Sequence, residues 1–205
     1  MIRNIVFDMG QVLIHWDPAW MIARQGYEGE DALTLQREVF GEAEWQGLDR
    51  GTLSPEAALE TILPRLPEHL HPIAEHFVRA WWEEPLWPVD GMAALVRELK
   101  GLGYGIYLLS NATSCLHQYF HRIPGSECFD GLLVSGDVKL LKPQAEIYQR
   151  LFETYGLKPE ECFFIDDNSS NMEGAHRAGM PGVVFFQDMA RLRRQLAAAG
   201  ISVKQ

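Results

Sequence analysis

The chain has 205 residues, 47% of them hydrophobic and 22% charged, which fits a soluble globular protein with either one α/β domain and a large insertion or two small domains. Its 18 Lys and Arg against 28 Asp and Glu leave a net charge of −10, which argues against nucleic acid or an anionic membrane as partner. An acidic protein that handles an anionic substrate must supply positive charge locally, from a metal, a lysine or helix N-termini.

The apolar, β-branched run that leads into Asp8 reads as a buried strand ending at a carboxylate and then at Gly10. In open α/β sheets, ligands bind beyond the carboxyl ends of the strands, so Asp8 falls where chemistry is expected. Residues 15–88 contain no convincing strand but several helical stretches. One of these starts at Ser54-Pro55-Glu56, with Ser as N-cap and Pro at the first helical position. Pro64, Pro67 and Pro72 interrupt this region and Pro85 and Pro88 close it. All six tryptophans (Trp16, Trp20, Trp45, Trp81, Trp82, Trp87) lie here. Most are expected to fill a thin helical core, while Trp16, so close to the first strand, is expected to line a pocket.

From residue 90 onward strands and helices alternate. Helices are expected over 91–101, 115–120, 145–155, 172–178 and 189–199, with strands over 104–109, 131–134, 162–165 and 182–186. Such alternation implies a Rossmann-like parallel sheet flanked by helices, a core formed by 1–14 and 89–205, and a helical-bundle cap formed by 15–88. Cys115, Cys128 and Cys162 are odd in number and lack metal-type spacing, so they are expected to be reduced thiols. With no signal peptide at the start and no apolar run of ~18 residues, a cytoplasmic location is expected.

Three strand ends carry polar groups: Asp8, Ser110-Asn111 and Asp166-Asp167. Lys142 sits in a loop before a helix, on the same side of the sheet. A carboxylate nucleophile, a hydroxyl, a lysine and an acidic pair form a kit for phosphoryl transfer. Asp8 can attack phosphorus, the acidic pair favours a hard cation such as Mg²⁺, and Ser110 and Lys142 can hold the transferring oxygens.

These residues fall in four motifs: Phe7-Asp8-Met9-Gly10-Gln11-Val12-Leu13, Leu109-Ser110-Asn111-Ala112, Lys142-Pro143-Gln144-Ala145-Glu146-Ile147-Tyr148 and Phe164-Ile165-Asp166-Asp167-Asn168-Ser169-Ser170-Asn171. In them the chain resembles the haloacid dehalogenase-like hydrolases whose cap is a helical insert after the first motif. With Asp49-Arg50-Gly51 in the cap, it is most similar to the small sugar-phosphate phosphatases of the α-D-glucose-1-phosphate phosphatase type. The resemblance implies Mg²⁺-dependent hydrolysis of a small phosphorylated metabolite by a monomer or homodimer. Asp8 would be nucleophile and metal ligand, and Gly10 would give a backbone carbonyl to the metal. Ser110 and Asn111 would bind the phosphoryl group and Lys142 would orient it. Asp167 would bind metal, Asp166 directly or through water, and Asn171 would support their loop.

Most phosphatases of the superfamily carry a second aspartate two residues after the nucleophile as general acid and base; here that residue is Gly10, and the resemblance implies glycine at this place in the glucose-1-phosphate phosphatase type as well. His15 or Asp17 is expected to replace it in part, or a sugar 1-phosphate leaves without much protonation. The alternatives are a phosphate-binding protein without turnover and, less favoured, a 2-haloacid dehalogenase, which would leave the acidic pair without a purpose.

Overall fold

In the computed structural model, which describes residues 1–41 and 43–204, five strands pair in parallel. They are β1 (Asn4–Phe7), β2 (Gly105–Ser110), β3 (Gly131–Val134), β4 (Cys162–Asp166) and β5 (Gly182–Val184), in the order β3-β2-β1-β4-β5. The connections run outward in one direction through β2 and β3 and in the other through β4 and β5. The strand order therefore reverses between β1 and β4, where an open sheet forms its ligand crevice.

Alternation along the strands divides the core between two helical layers. Ile5 and Phe7 of β1, Ile106 and Leu108 of β2 and Phe163 and Ile165 of β4 face helices Met92–Gly101 and Met189–Ala198, meeting Leu95, Leu99, Leu192 and Leu196. Val6, Leu109, Cys162 and Phe164 face helices Ala145–Tyr155 and Ser169–Arg177, meeting Ile147, Leu151, Met172 and Ala175. Ile5, Val6 and Phe7 have no exposed surface, and each side chain buried in this way contributes about 1.5–3 kcal/mol. That burial on both faces is why β1 appears in the sequence as a continuous apolar run rather than as an alternation.

Residues 15–88 form helices Pro18–Arg24, Gly29–Leu35, Ala43–Arg50, Pro55–Ile62 and His71–Ala80, with a π-helical turn at Gln36–Phe40. They close round an apolar cluster of their own that includes Ile22, Leu35, Leu59, Ile62, Leu70 and Phe77. The chain leaves and rejoins the sheet side by side: Val89 N donates to Leu13 O at 3.0 Å and His15 N to Trp87 O at 2.7 Å. Ser54 caps its helix as expected, its Oγ accepting from Ala57 N at 3.2 Å.

Several element bounds differ from the sequence reading. The helix expected from 172 begins at Ser169, because Asn168 Oδ1 accepts from Ser170 N and draws the polar Ser-Ser-Asn stretch into the first turn. The helix expected over 115–120 is a single turn, Leu116–Tyr119, followed by a 3₁₀ turn, Phe120–Arg122. Pro124 disfavours helical backbone at Ile123, which is extended. β5 stops at Val184 rather than 186. It is an edge strand, and Phe185 N makes a last bond to Asp166 O before Gln187 turns to positive φ. A short helix at Ser135–Val138, unanticipated in the sequence, follows β3 directly.

Candidate active site

The crevice at the β1/β4 reversal spans ≈ 630 Å³, its open mouth included, between the sheet edge and the helical insert. One step beyond the pairing of Phe7 with Ile165, the register sets Asp8 level with Asp166. Lys142 Nζ lies between them, 2.9 Å from Asp8 Oδ1 and 2.7 Å from Asp166 Oδ2, with no side-chain surface exposed. The backbone N of Met9 also donates to Asp8 Oδ1 at 2.7 Å, which leaves Oδ2 without a hydrogen bond among the described residues.

Asp166 is fully buried and held on both oxygens. Lys142 donates to Oδ2, Asn168 N to Oδ1 at 2.8 Å, and Asn171 Nδ2 to both at 3.1 and 3.2 Å. Asn171 is itself fixed through its carbonyl, which accepts from Tyr148 Oη at 2.6 Å. Asp166 is thus committed to Lys142 and its own loop, whereas Asp167, the next residue, opens into the crevice.

Ser110 ends β2 and lines the crevice. Asn111, expected on the phosphoryl group, lines the crevice, and its side chain also brackets the lysine loop. Its Nδ2 donates to Lys142 O at 3.1 Å and its Oδ1 accepts from Lys142 N at 2.9 Å. Trp16 lines the crevice as expected, together with Trp45 and Trp81, at ring separations of 5.6 and 4.5 Å from it. His15 and Asp17 do not line this crevice. His15 packs on Trp87 at 4.2 Å in a neighbouring cavity, and Asp17 accepts from Trp20 N as a helix cap. The sequence reading gave no role in the site to Asp49, Thr113 or Tyr119, which also line the crevice. Their placement depends on how the insert folds over the sheet, and only the oddity of an Asp-Arg-Gly stretch in the insert marks Asp49 in the sequence.

Burial dominates the electrostatics. Desolvation pushes the Asp8 carboxyl up to about 7; the Lys142 ammonium opposes this and the Asp166 charge adds to it. For Lys142, burial alone would favour the neutral amine, but Asp166 and Asp8 overcome it and hold the ammonium above the usual lysine range. Asp167 is raised by desolvation and by Asp166. Asp8, Asp166 and Asp167 each offer a carboxylate oxygen within 4.8 Å of the others, a set of hard donors that suits Mg²⁺. Gly10 lines the same crevice. A proton on Asp8 competes with a cation, so Mg²⁺ should raise Tm more at pH 8 than at pH 6. Its apparent affinity should weaken by up to about tenfold per pH unit below 7. Thermal-shift titrations at both pH values measure this, and an equal shift at both would show that Asp8 is not a ligand.

Among known proteins, the chain is 26% identical over 189 residues to the sesquiterpene phosphatase astK of Aspergillus oryzae, covering 92% of each. It is 29% identical over 145 residues to a phosphoserine phosphatase of Thermus thermophilus, covering 69% of this chain and 56% of that one. Among solved structures it superposes with a TM-score of 0.67 and 21% identity on a wild-type HAD-family enzyme of Bacteroides thetaiotaomicron in complex with magnesium and inorganic phosphate, over 94% of this chain and 99% of that one. Residues 2–179 match a family described as haloacid dehalogenase-like hydrolase. The chain belongs to the haloacid dehalogenase-like hydrolases.

Proposed function

We propose that this hydrolase is a phosphomonoesterase that transfers the phosphoryl group to Asp8 and then to water. The observation that carries this reading is the buried Asp8–Lys142–Asp166 row with Asp167 beside it. It combines a carboxylate with one free oxygen, a fixed cation and a pair of hard donors at the mouth of the sheet. Phosphatases among the relatives support it. Asp8 Oδ2 is the attacking oxygen, since Oδ1 is held by Met9 N and Lys142. Lys142 fixes the carboxylate and faces the negative charge that builds on phosphorus. Ser110 donates to a phosphoryl oxygen, Asn111 keeps the Lys142 loop in place, and Asp166 orients the lysine. Mg²⁺ bound by Asp8, Asp167, the Gly10 carbonyl and Asp166, directly or through water, would supply charge neutralisation between nucleophile and phosphate. Residues 15–88 act as the cap, and Trp16 forms the wall met by the rest of the substrate.

The substrate is a small phosphorylated metabolite, with a sugar phosphate as the first candidate. A flat indole wall can pack on a sugar ring, and an anomeric phosphate leaves more easily than an alkyl one. The same Trp16–Trp45–Trp81 wall favours a second reading, an apolar phosphate ester, which the sesquiterpene phosphatase likeness supports. Phosphate release from a panel of sugar, amino-acid, alkyl and isoprenoid monophosphates, with Mg²⁺ and with EDTA, tests both. Metal-dependent release is expected, and the best substrate decides between the two walls' uses. No release from any member, from a protein that still binds Mg²⁺ with vanadate, would replace the phosphatase with a phosphate-binding protein.

A further inference from the structure

A transferring phosphoryl group leaves behind an oxygen that needs a proton, and the position where the resemblance to the wider superfamily implies a donor is Gly10. A Cβ built there would lie 3.4 Å from Trp16 Cβ and 3.9 Å from its Cγ, in contact with the Trp16 side chain. His15 and Asp17 are turned to other partners. Three carboxyl groups line the crevice: Asp8, Asp167 and Asp49. The first is the nucleophile and the second belongs to the cation cluster. Asp49 is outside that cluster, and its carboxyl has no hydrogen bond or ion pair to another described residue.

The fold fixes Asp49 in place. It lies in the last turn of helix Ala43–Arg50, at the lower edge of the insert. Ser135 Oγ, on the short helix after β3, donates to Asp49 O at 2.5 Å and lies 3.1 Å from Ala112 O, while Ala112 N donates to Ser135 Oγ at 2.8 Å. Two residues on, Gly51 has φ +70° and packs on Gly136 so closely that a Cβ would collide with the Gly136 carbonyl. The insert is therefore seated on the sheet at the point where it presents a carboxyl group to the crevice.

We infer that Asp49 is the general acid for the departing oxygen and the base for the incoming water, a role that rests on the phosphatase reading above. Burial, and secondarily the Asp8 charge, push its carboxyl well above the usual carboxylate range, the direction that favours its holding a proton. In the first step Asp8 Oδ2 bonds to phosphorus, the ester P–O bond breaks, and the leaving oxygen takes the Asp49 proton to give the free alcohol. In the second step the Asp49 carboxylate takes a proton from water as the water oxygen bonds to phosphorus. The Asp8–phosphorus bond breaks, which releases phosphate and restores both carboxyl groups.

The test compares kcat/KM, which reports the first step, for the best alkyl or sugar phosphate and for p-nitrophenyl phosphate, whose leaving group needs no proton. Asp49→Asn and Asp49→Ala should lower the first by about 10²–10⁴-fold and the second by less than about tenfold. Asn is isosteric and removes a group with no hydrogen-bond partner, so folding is retained. Equal loss on both substrates, or no loss on either, would overturn the assignment while the phosphatase stands. A wild-type protein inactive on both would overturn the phosphatase reading, and the assignment with it.

Discussion

Asp8→Asn should abolish phosphate release, by about 10⁵-fold or more, because the amide cannot form the aspartyl-phosphate and no other crevice carboxylate sits against Lys142 in its place. The fold should survive. Lys142 keeps Asp166 at 2.7 Å, and the lost carboxylate is one that burial disfavours. The sign of the stability change follows from its raised pKa. A carboxyl lifted to about 7 in the fold stabilises the protein below its unfolded pKa near 4, and this contribution is lost as pH rises through 7. Asn does not titrate, so without metal the variant's Tm should match or exceed wild type at pH 8. A variant that unfolds, or that still turns over at a tenth of the wild-type rate, would remove Asp8 from the role assigned to it. Mg²⁺-dependent stabilisation should also disappear.

Lys142→Met should have the largest effect on stability. The ammonium is the only cation within hydrogen-bond reach of Asp8 and Asp166 among the described residues, and the pair is nearly sealed from water. Removing one member of such a buried group leaves uncompensated charge and costs about 3–5 kcal/mol. The loss has a defined pH dependence. Without Lys142 the Asp8 carboxyl rises further above its unfolded value, so the variant is most nearly native at low pH and weakens as pH rises through and beyond 7. Urea titrations at pH 5.5 and 7.5 measure the difference, and Mg²⁺ should recover part of it by supplying charge at the same place. A loss of under about 1 kcal/mol at pH 7.5 would mean that the row is solvated and does not act as a unit.

The sheet was legible because its strands are buried on both faces. Continuous apolar runs ending in Asp8, Ser110 and Asp166 leave few other assignments, and their order along the chain matches a doubly wound sheet. The helix over 145–155 has its expected bounds because an apolar stripe defines it and Gly156, with φ +63°, ends it. Shorter elements were less legible because local capping decides them, as Asn168 does for Ser169–Arg177. The least legible were side-chain roles set by contacts distant in sequence. Asn111 was expected at the phosphoryl group, but the bond from its amide to the backbone of Lys142, 31 residues away, has no local signature. The Asp49 backbone is held by Ser135, 86 residues further on, a pairing no local pattern encodes.

The position of β1 at the centre of the sheet also constrains the order in which the molecule can be made. β1 pairs with β2 about a hundred residues later and with β4, where Asn4 lies opposite Cys162, 158 residues later. A chain emerging from the ribosome therefore carries its central strand, and Asp8, unflanked on one side until β4 has been synthesised. The helical insert, with its own apolar cluster, has all its residues available long before that. Contacts of such long sequence separation are slow to close. The order of assembly expected is insert first, then the β1–β2–β3 half, and last the docking of β4, which in one step buries β1 and brings Asp166 to Lys142. A nascent or truncated chain that stops short of β4 lacks Asp166 and Asp167, and with them two of the three carboxylates of the candidate cation cluster, so on the proposed mechanism it should not turn over.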